Sequence, residues 1–310
     1  MIKRTLCFSN PAYLSLKNDQ LVIRLPQVEK NHDLPDSFKS DAVKTVPIED
    51  IGVVVLDNKQ ITVTQGLMEA LLDNNCAVIT CDSSHLPVGL LLPLSGNTVQ
   101  NERFRSQLDS SLPLKKQLWQ QTVQAKILNQ AAVLQKCRGA EVGNMLKWAK
   151  EVRSGDPDNL EARAASYYWK QMFPDVENFV RDREGPSPNN LLNYGYAILR
   201  AVVARSLVAS GLLPTLGIHH HNRYNAYCLA DDIMEPYRPY VDEIVINYTS
   251  QNGYPDELTT EEKKVLLGIP VLDIVINGKR SPLMIASTTT TASLARCFNG
   301  ESRKIVYPEI

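Results

Sequence analysis

Ile51-Gly-Val-Val-Val-Leu56 and Cys76-Ala-Val-Ile-Thr-Cys81 are the two apolar runs that decide the fold of the first part of the chain. Runs of this length without polar alternation are typical of strands buried in a sheet. The segment 64–74 between them carries leucines at helical spacing and begins with Thr64, a residue type that caps helices. The sheet is predicted either to be buried on both faces or to pack on a second copy.

The pattern continues on both sides of these runs. Short apolar and β-branched segments predict further strands at 4–9, 13–17, 20–25 and 87–92, and Asn18-Asp19 is a hairpin signal. Beyond residue 100 the period changes: Trp119, Val123, Ile127, Ala131 and Leu134 recur at helical steps. Further helices are predicted at 160–172, 190–210, 225–234 and 260–267, and a last one, capped by Thr288–Thr291, through Phe298.

These periods predict an α+β multidomain chain. Residues 1–100 form an N-terminal β-rich, sandwich-like domain, and residues 101–310 form a mostly α-helical domain that carries the chemistry. A length of 310 residues suits two domains of ordinary size.

Composition excludes several classes of protein. With 33 Lys and Arg against 34 Asp and Glu and 44% hydrophobic residues, the chain is not a disordered tail, a histone-like protein or a fibrous repeat. No signal peptide or membrane-spanning run is visible, so a cytoplasmic protein is expected. The six cysteines include no C-x-x-C pair, which argues against a disulfide framework or a cysteine zinc site.

Charge is unevenly distributed. Residues 101–230 carry 17 basic and 11 acidic side chains, whereas the segments on either side have an acidic surplus. Only this middle segment is suited to a polyanion, although solvated helix faces are often basic as well.

A run of three histidines, His219–His221, precedes a carboxylate cluster at Asp231, Asp232 and Glu235. Imidazole and carboxylate together suit a divalent metal. On a helix, Asp232 and Glu235 leave from one face. The alternative is a surface histidine run beside acids that cap a helix, and spacing alone does not decide between the two. The absence of H-E-x-x-H disfavours a hydrolytic zinc site.

Glu161 is a second acidic candidate, at the start of a predicted helix. A glutamate in the first turn is also favoured by the helix dipole, which is the simpler explanation of this residue taken alone. Small residues around it allow another helix to approach, and Arg163 is suited to an ion pair or a phosphate.

Four motifs follow one another along the chain: Glu161-Ala-Arg-Ala-Ala-Ser-Tyr-Tyr-Trp169, Asn190-Leu-Leu-Asn-Tyr-Gly-Tyr196, Gly217-Ile-His-His220 and Leu229-Ala-Asp-Asp-Ile-Met-Glu-Pro-Tyr-Arg-Pro239. In this order they resemble the CRISPR-associated adaptation integrase family, which inserts new spacers into a CRISPR array. The resemblance covers nearly the whole chain, and the His-His pair with the fifteen-residue step from His220 to Glu235 resembles the branch that accompanies single-protein effector systems.

The resemblance implies that Glu161, His220 and Glu235 bind a catalytic Mg²⁺ or Mn²⁺ and that Asp232 is a nearby catalytic acid. It also implies the reaction, in which a 3′-hydroxyl of incoming protospacer DNA attacks a phosphodiester of the CRISPR repeat by transesterification. Water in place of the hydroxyl gives endonuclease activity. The family further implies a homodimer, formed through the N-terminal domain, that clamps a small ferredoxin-like partner protein.

The basic middle segment supplies candidate contacts to double-stranded DNA. Arg238, one turn past Glu235, is predicted to hold the scissile phosphate, with an ion pair to Asp232 or Asp242 as the alternative. Tyr and Trp at helical spacing usually pack, so three of the five aromatics at 167–169, 194 and 196 are expected in the core. The other candidate contacts are Lys126, Lys147, Lys150, Arg153, Arg163, Arg205 and Arg223.

Three alternatives to the integrase remain at this point. One is a stand-alone, metal-dependent, structure-specific nuclease of DNA repair with the same site. Another is a non-catalytic DNA-binding scaffold whose acids are structural. A generic zinc hydrolase is the most distant, because the ligand spacing disfavours it.

Overall fold

The computed structural model describes residues 3–31, 33–83, 85–177, 179–182 and 184–310. The chain divides into two compact units, Met1–Gly96 and Asn97–Ile310. The first unit is rich in strands and the second is mostly helical, which confirms the predicted fold class. Among the described residues, no helix combines the length and the apolar character that a membrane crossing requires.

The N-terminal unit contains two four-stranded sheets. In the first sheet β1, β5 and β7 run parallel and β8 pairs antiparallel at the edge; the second has the order β4-β3-β2-β6. The elements are β1 (Arg4–Phe8), β2 (Ala12–Lys17), β3 (Gln20–Arg24), α1 (Pro26–Glu29), α2 (Asp36–Asp41), β4 (Lys44–Pro47), β5 (Ile51–Leu56), β6 (Ile61–Val63), α3 (Gln65–Asp73), β7 (Ala77–Cys81) and β8 (Pro87–Leu91).

Local sequence explains this arrangement. Asn18 and Asp19 both adopt positive φ, 50° and 56°, as a two-residue hairpin between β2 and β3 requires. Strand β5 is buried on both faces within a single chain, which decides between the two predicted environments for this run. Residues of both sheets and of α3 share one apolar cluster that includes Leu14, Val54 and Leu67.

The C-terminal unit is built around one long helix, α5, which contacts most of its neighbours. Its elements are α4 (Gln100–Leu108), α5 (Leu112–Arg138), α6 (Gly143–Glu151), α7 (Leu160–Met172), α8 (Asn189–Ala209), α9 (Cys228–Met234), α10 (Arg238–Asn252), α11 (Thr260–Leu266), β9 (Asp273–Ile276), β10 (Lys279–Pro282), α12 (Leu283–Phe298) and β11 (Pro308–Glu309), with a 3₁₀ turn at Glu235–Tyr237.

Helix α5 has clear ends and an unusual buried face. The Ser111 side chain accepts a hydrogen bond from the Leu114 N–H at its start, and Gly139, at φ 60°, ends it in the left-handed region. Beside its buried apolar residues, α5 also buries Thr122, Lys126, Asn129 and Gln130. A helix that buries polar groups places them against partners. This face forms one wall of the site described below.

The prediction for the last helix is wrong at its start. Thr288–Thr291 lie inside α12, which begins five residues earlier at Leu283. Their hydroxyls bond within the core: Thr291 Oγ1 donates to the Ser206 carbonyl oxygen and Thr290 Oγ1 to the Val306 carbonyl oxygen. Threonine hydroxyls satisfied in this way are compatible with a helix interior.

Candidate active site

Glu161 is placed by the turn that starts α7. Asn159 adopts φ 52°, and both oxygens of the Asp156 carboxylate accept hydrogen bonds at 2.9 Å, from the backbone N–H groups of Leu160 and Glu161. Asp156 thus takes the role of a capping residue although it lies outside the helix. Glu161 is thereby fixed in the first turn, and its side chain is partly buried.

The histidine turn is organised around one buried carboxylate, that of Asp232. Asp232 is 0% exposed and accepts backbone hydrogen bonds from Ile218 (2.7 Å), His219 (2.9 Å) and His220 (3.3 Å). It also bonds His220 Nδ1 at 2.5 Å. This hydrogen bond raises the pKa of His220. Because Nδ1 is engaged, Nε2 is the ring nitrogen left for another partner.

Gly217 makes this turn possible. A Cβ at this position would lie 2.3 Å from the His220 carbonyl oxygen and 2.8 Å from Asp232 Oδ2. The first neighbour is backbone and the second is held by the N–H groups of Ile218 and His219, so the glycine is required by close approach. The motif Gly217-Ile-His-His220 therefore has a steric reason as well as a chemical one.

His219 is held differently from His220. Its ring stacks on Trp119 of α5, with centroids 4.1 Å apart and planes 2° from parallel. Burial against this ring lowers the pKa of His219. His220 meets the same Trp119 only by its edge, at 5.6 Å. The two histidines thus have separate positions, and of the two rings it is that of His220 that bonds Asp232.

Lys126, from the middle of α5, lies between two carboxylates. Its Nζ is 2.6 Å from Glu161 Oε1 and 2.5 Å from Glu235 Oε2. Burial alone would lower the pKa of Lys126, but Glu235 and Glu161 outweigh it and raise the pKa. One ammonium group thus joins α5, α7 and the 3₁₀ turn that carries Glu235. Because Lys126 is 8% exposed and doubly paired, its side chain is an internal ion bridge in this structure.

Arg238 supports the same cluster from the first turn of α10. Its Nε lies 2.8 Å from Glu235 Oε1, and its guanidinium carbon lies 4.5 Å from the centre of the Tyr196 ring. Burial alone would raise the pKa of Glu235, but Arg238 and Lys126 hold it at about 2. Glu235 is therefore an anion at neutral pH.

The acids predicted as alternative partners of Arg238 have other partners. Asp232 bonds the histidine turn, and Asp242 accepts hydrogen bonds from the hydroxyls of Tyr196 (2.5 Å) and Tyr168 (2.9 Å). Burial raises the pKa of Asp242 to about 6 against these two bonds. The predicted ion pair of Arg238 with Asp232 or Asp242 is therefore wrong, and the partner is Glu235.

Asp231 does not join the cluster, although the sequence grouped it with Asp232 and Glu235. Its carboxylate pairs with both ends of the Arg200 guanidinium, at 2.6 and 3.0 Å, and accepts a bond from Asn225 Nδ2 at 2.7 Å. A two-pronged pair of this kind fixes a structural contact. Adjacent acids on α9 thus point to different partners.

The donor set fits a hard divalent cation. Two carboxylates and an imidazole are ligands that Mg²⁺ and Mn²⁺ accept. Glu235 Oε2 is buried, and its partner among the described residues is the Lys126 ammonium at 2.5 Å. In this arrangement no three His, Cys, Asp or Glu side chains of the described residues are grouped to hold a metal. The residues therefore fit the ion on condition that the ammonium leaves its place between the glutamates.

The other candidate DNA contacts differ in accessibility. Arg163 is exposed on α7, with its guanidinium carbon 6.0 Å from the Trp148 ring centre. Arg223 is exposed three residues after His220, lies over the Tyr224 ring at 4.6 Å and bonds its hydroxyl. Arg205 is only 7% exposed within α8, so it presents almost no surface to a ligand.

The aromatic prediction is confirmed: Tyr168, Tyr194 and Tyr196 are buried, whereas Tyr167 and Trp169 are partly exposed. Three of the five are therefore core residues. Tyr168 and Tyr196 in addition hold the Asp242 carboxylate, as described above.

Sequence reasoning missed the central position of Lys126. The signal was present, because Lys126 lies seven residues after Trp119 and so on the same face of α5. A charged residue on an apolar helix face requires a buried partner. The stacking of Trp119 on His219 had no local signal, since it joins residues 100 positions apart.

The family model described as CRISPR associated protein Cas1 matches residues 6–277. The CRISPR-associated endonuclease Cas1 of Neisseria meningitidis serogroup C (strain 8013) is 37% identical over 312 residues, which cover 100% of this chain and 97% of that protein. CRISPR-associated endonuclease Cas1 2 of Pyrobaculum aerophilum is 26% identical over 263 residues, covering 81% of this chain and 88% of that protein.

Solved structures share the fold at low sequence identity. A casposase bound to its integration product has a TM-score of 0.77 at 18% identity, covering 98% of this chain and 92% of that chain. A CAS1 protein from Thermotoga maritima has a TM-score of 0.71 at 15% identity, covering 96% and 98%. With a family model that spans most of its length and a full-length relative at 37% identity, this chain belongs to the CRISPR-associated Cas1 family.

Proposed function

We propose that this chain is the integrase of CRISPR adaptation, which joins 3′-hydroxyl ends of protospacer DNA to the CRISPR repeat and also acts as an endonuclease. The observation that carries the proposal is the convergence of Glu161 and Glu235 on the Lys126 ammonium, with His220 near enough for both carboxylates to help raise its pKa beside the bond from Asp232. Two facts about relatives support it: the Neisseria protein is named an endonuclease, and the casposase with this fold is bound to an integration product.

Glu161, Glu235 and His220 would hold the divalent cation, Mg²⁺ or Mn²⁺. His220 would contribute Nε2, since Asp232 engages Nδ1. When bound, the cation would stabilise the charge that develops on the phosphate oxygens during displacement.

The reaction needs little covalent chemistry from the protein. The donor 3′-oxygen bonds to phosphorus while the bond from phosphorus to the repeat-strand oxygen breaks, so the number of phosphodiester bonds is unchanged. The protein's task is to position the two DNA strands and to exclude misaligned ones. Asp232 fixes the imidazole of His220, and the buried pairing of Glu235 with Arg238 fixes its carboxylate.

Phosphate contacts are assigned to Arg238, Arg163 and Arg223. Arg238 is partly exposed next to Glu235 and is suited to the scissile phosphate. Arg163 and Arg223 lie on exposed surface close in sequence to Glu161 and His220, respectively, and are suited to flanking phosphates. Arg205 is left out of this set because it is buried.

The N-terminal residues, to about position 100, serve dimerisation in this proposal, and residues 101–310 carry metal and DNA. The edge strand β8 exposes 69% of Val88 and 41% of Leu91, which is unusual for an unpartnered edge. The dimer is assigned a small ferredoxin-like adaptation protein as partner; a Cas6-RT-Cas1–Cas2 complex is among the structures with this fold. With chromosomal and foreign DNA as substrates, the reaction belongs in the cytoplasm.

An integration assay tests the proposal. The purified chain, the small partner, labelled protospacer DNA and a repeat-containing plasmid should give joined product with Mg²⁺ or Mn²⁺ and none with EDTA. Cleavage of branched DNA without joining under every metal would instead favour a stand-alone repair nuclease. Binding without any metal-dependent reaction would favour a DNA-binding scaffold.

Dimerisation is tested by replacing Val88 with Asp. The measurement is the mass in solution by light scattering during gel filtration. A shift of the parent dimer to monomer in Val88→Asp supports the assignment, because a charge on an apolar contact is costly. A monomeric parent contradicts it.

A further inference from the structure

Lys126 is the charged side chain of the site to which the proposed reaction gives no role. Its ammonium is buried and lies within 2.6 Å of oxygens from both glutamates that would hold the cation. A lysine in this place balances the two negative charges and holds α5, α7 and the 3₁₀ turn in register. It therefore positions Glu161 and Glu235 relative to each other.

The same place does not accommodate an ammonium and a divalent cation together. The charges of Glu161 and Glu235 are already balanced by Lys126 and Arg238. A dication added between the glutamates would be repelled by the ammonium at a few ångströms, in surroundings that screen charge poorly. Arg238 is held by Tyr196 as well as by Glu235, so Lys126, with its flexible four-carbon stem, is the cation able to move.

Gln130 offers the displaced ammonium a new partner. It lies one turn after Lys126 on α5, a spacing that puts the two side chains about 5–6 Å apart at Cβ. Gln130 is 3% exposed, and its Oε1 accepts no hydrogen bond from the described residues. Lys126 and Gln130 line the same cavity of about 220 Å³, together with Asp242. A buried, unpaired acceptor is costly and calls for an explanation.

We infer that Lys126 is a positioning residue that holds Glu161 and Glu235 together before the divalent cation binds, and that its ammonium moves to Gln130 Oε1 when the cation enters. This inference rests on the metal site of the proposed function. It explains both the pairing of Lys126 with the two glutamates and the unpaired oxygen of Gln130. Lys126 thus contributes to the order of assembly of the site rather than to the bonds that react.

The first test replaces Lys126 with Met, which keeps the length of the stem and removes the charge. Without metal, the melting temperature of Lys126→Met should fall, because the buried carboxylate of Glu235 and the partly buried one of Glu161 lose a counter-charge. Mn²⁺ alone, titrated calorimetrically, should bind at least about tenfold more tightly than to the parent, since no ammonium competes. Unchanged or weaker Mn²⁺ binding would overturn the inference.

The matched control is Lys136→Met, ten residues further along the same helix. Lys136 pairs with Glu243 at 2.6 Å, but its side chain is 61% exposed and lies outside the cluster. Its loss should leave Mn²⁺ affinity at the parent value. If Mn²⁺ bound Lys136→Met as tightly as Lys126→Met, the net charge of α5 alone would explain the gain in affinity. That result would contradict the inference.

The second test replaces Gln130 with Leu. A leucine removes the unpaired acceptor, so the metal-free protein should melt at the same or a higher temperature. Mn²⁺ affinity should nevertheless fall by at least about threefold, because the displaced ammonium of Lys126 loses the acceptor that Gln130 Oε1 provides. Unchanged Mn²⁺ affinity in Gln130→Leu would refute the movement toward Gln130.

The two proposals fail in different ways. Absence of Mn²⁺ binding by the parent chain, with loss of integration, would refute the metal site itself. Normal Mn²⁺ binding by the parent with no tightening in Lys126→Met would refute only the role of Lys126. The calorimetric titration without DNA therefore separates them before any reaction is run.

Discussion

The two units of this protein bury different kinds of side chain. In the N-terminal unit the core is apolar, and Asp57 is the one buried charged or polar side chain among its described residues. In the helical unit Lys126, Asp232 and Glu235 lie buried at the centre. Burying charge costs free energy even when the charges are paired. The first interior is thus arranged for stability, and the second gives up some stability to hold a charged cluster.

This difference predicts which substitutions alter stability and which alter the reaction. Changes in the apolar core should alter the free energy of unfolding and leave the reaction of the folded molecules unchanged. Changes in the charged cluster should alter the reaction out of proportion to stability.

Glu161→Gln should reduce strand transfer about a thousandfold, equivalent to about 4 kcal/mol in the barrier. The amide keeps the shape of the carboxylate and removes the charge that would hold the cation. Because Glu161 is partly exposed, the melting temperature should change by only a few degrees. The measurements are a single-turnover integration assay and a thermal melt. Parent-like strand transfer in Glu161→Gln would contradict the proposed site.

Leu67→Ala should destabilise the N-terminal unit by about 2–5 kcal/mol, the usual cost of emptying a filled leucine site. Leu67 is 0% exposed in the cluster shared by both sheets and α3. Urea unfolding measures the loss. Strand transfer per folded molecule should match the parent at low temperature; a large drop there would break the separation between the two units.

Gly217→Ala should destabilise the helical unit by about 1–3 kcal/mol, the cost of overpacking, and lower strand transfer at the same time. The added methyl group would meet the His220 carbonyl oxygen and Asp232 Oδ2 and push the histidine turn out of place. Urea unfolding and the integration assay report the two effects.

The matched control is Gly66→Ala in α3 of the N-terminal unit, where a Cβ meets nothing within 4 Å. Alanine should stabilise this helix by about 0.5–1 kcal/mol and leave strand transfer unchanged. If both alanine variants lowered activity alike, close packing at Gly217 would not be the reason.

Glu262→Gln should cost about 1 kcal/mol at pH 7, the usual worth of a helix cap. Glu262 accepts bonds from the Thr259 N–H (2.8 Å) and the Tyr248 hydroxyl (2.5 Å). Burial would raise the pKa of Glu262, but a hydrogen bond from the Thr259 hydroxyl, together with the bonds from the Tyr248 hydroxyl and the Thr259 N–H, lowers it to about 2. A depressed pKa stabilises the fold above the ordinary value of 4.5, and this contribution disappears as pH falls toward 2.

Urea unfolding of Glu262→Gln and parent at several pH values checks this prediction. The difference between the two should shrink as pH falls through that window. A difference that stays constant down to pH 2 would show that the carboxylate charge at Glu262 is not responsible.

Local patterns in the sequence predicted what local physics determines. The β5 and β7 runs, the Asn18-Asp19 turn and the α7 and α8 helices follow from period, turn chemistry and caps. The start of α12 was misplaced because its threonine hydroxyls are satisfied by the core, which removes the reason to place them at a helix end. A threonine run that locally favours a helix cap is therefore compatible with a helix interior when tertiary contacts satisfy its hydroxyls.

The site was predictable in its residue types but not in its pairing. The motifs named Glu161, His220 and Glu235 together, whereas the choice between Asp231 and Asp232 depends on Arg200, about thirty positions earlier. Lys126 was taken for a surface contact because nothing next to it in sequence reveals a carboxylate. Ion pairs between residues far apart in the sequence produce no local periodicity from which they could be predicted.

The ion bridge at Lys126 has a consequence for the newly made chain. It ties position 126 to positions 161 and 235, and Asp232 ties in the histidine turn, so the site is complete only when α5, α7, α9 and the start of α10 have folded together. Contacts so distant in sequence slow the folding of a chain, because loops must close before they form. A partly synthesised or partly opened molecule therefore lacks the assembled cluster of Lys126, Glu161 and Glu235.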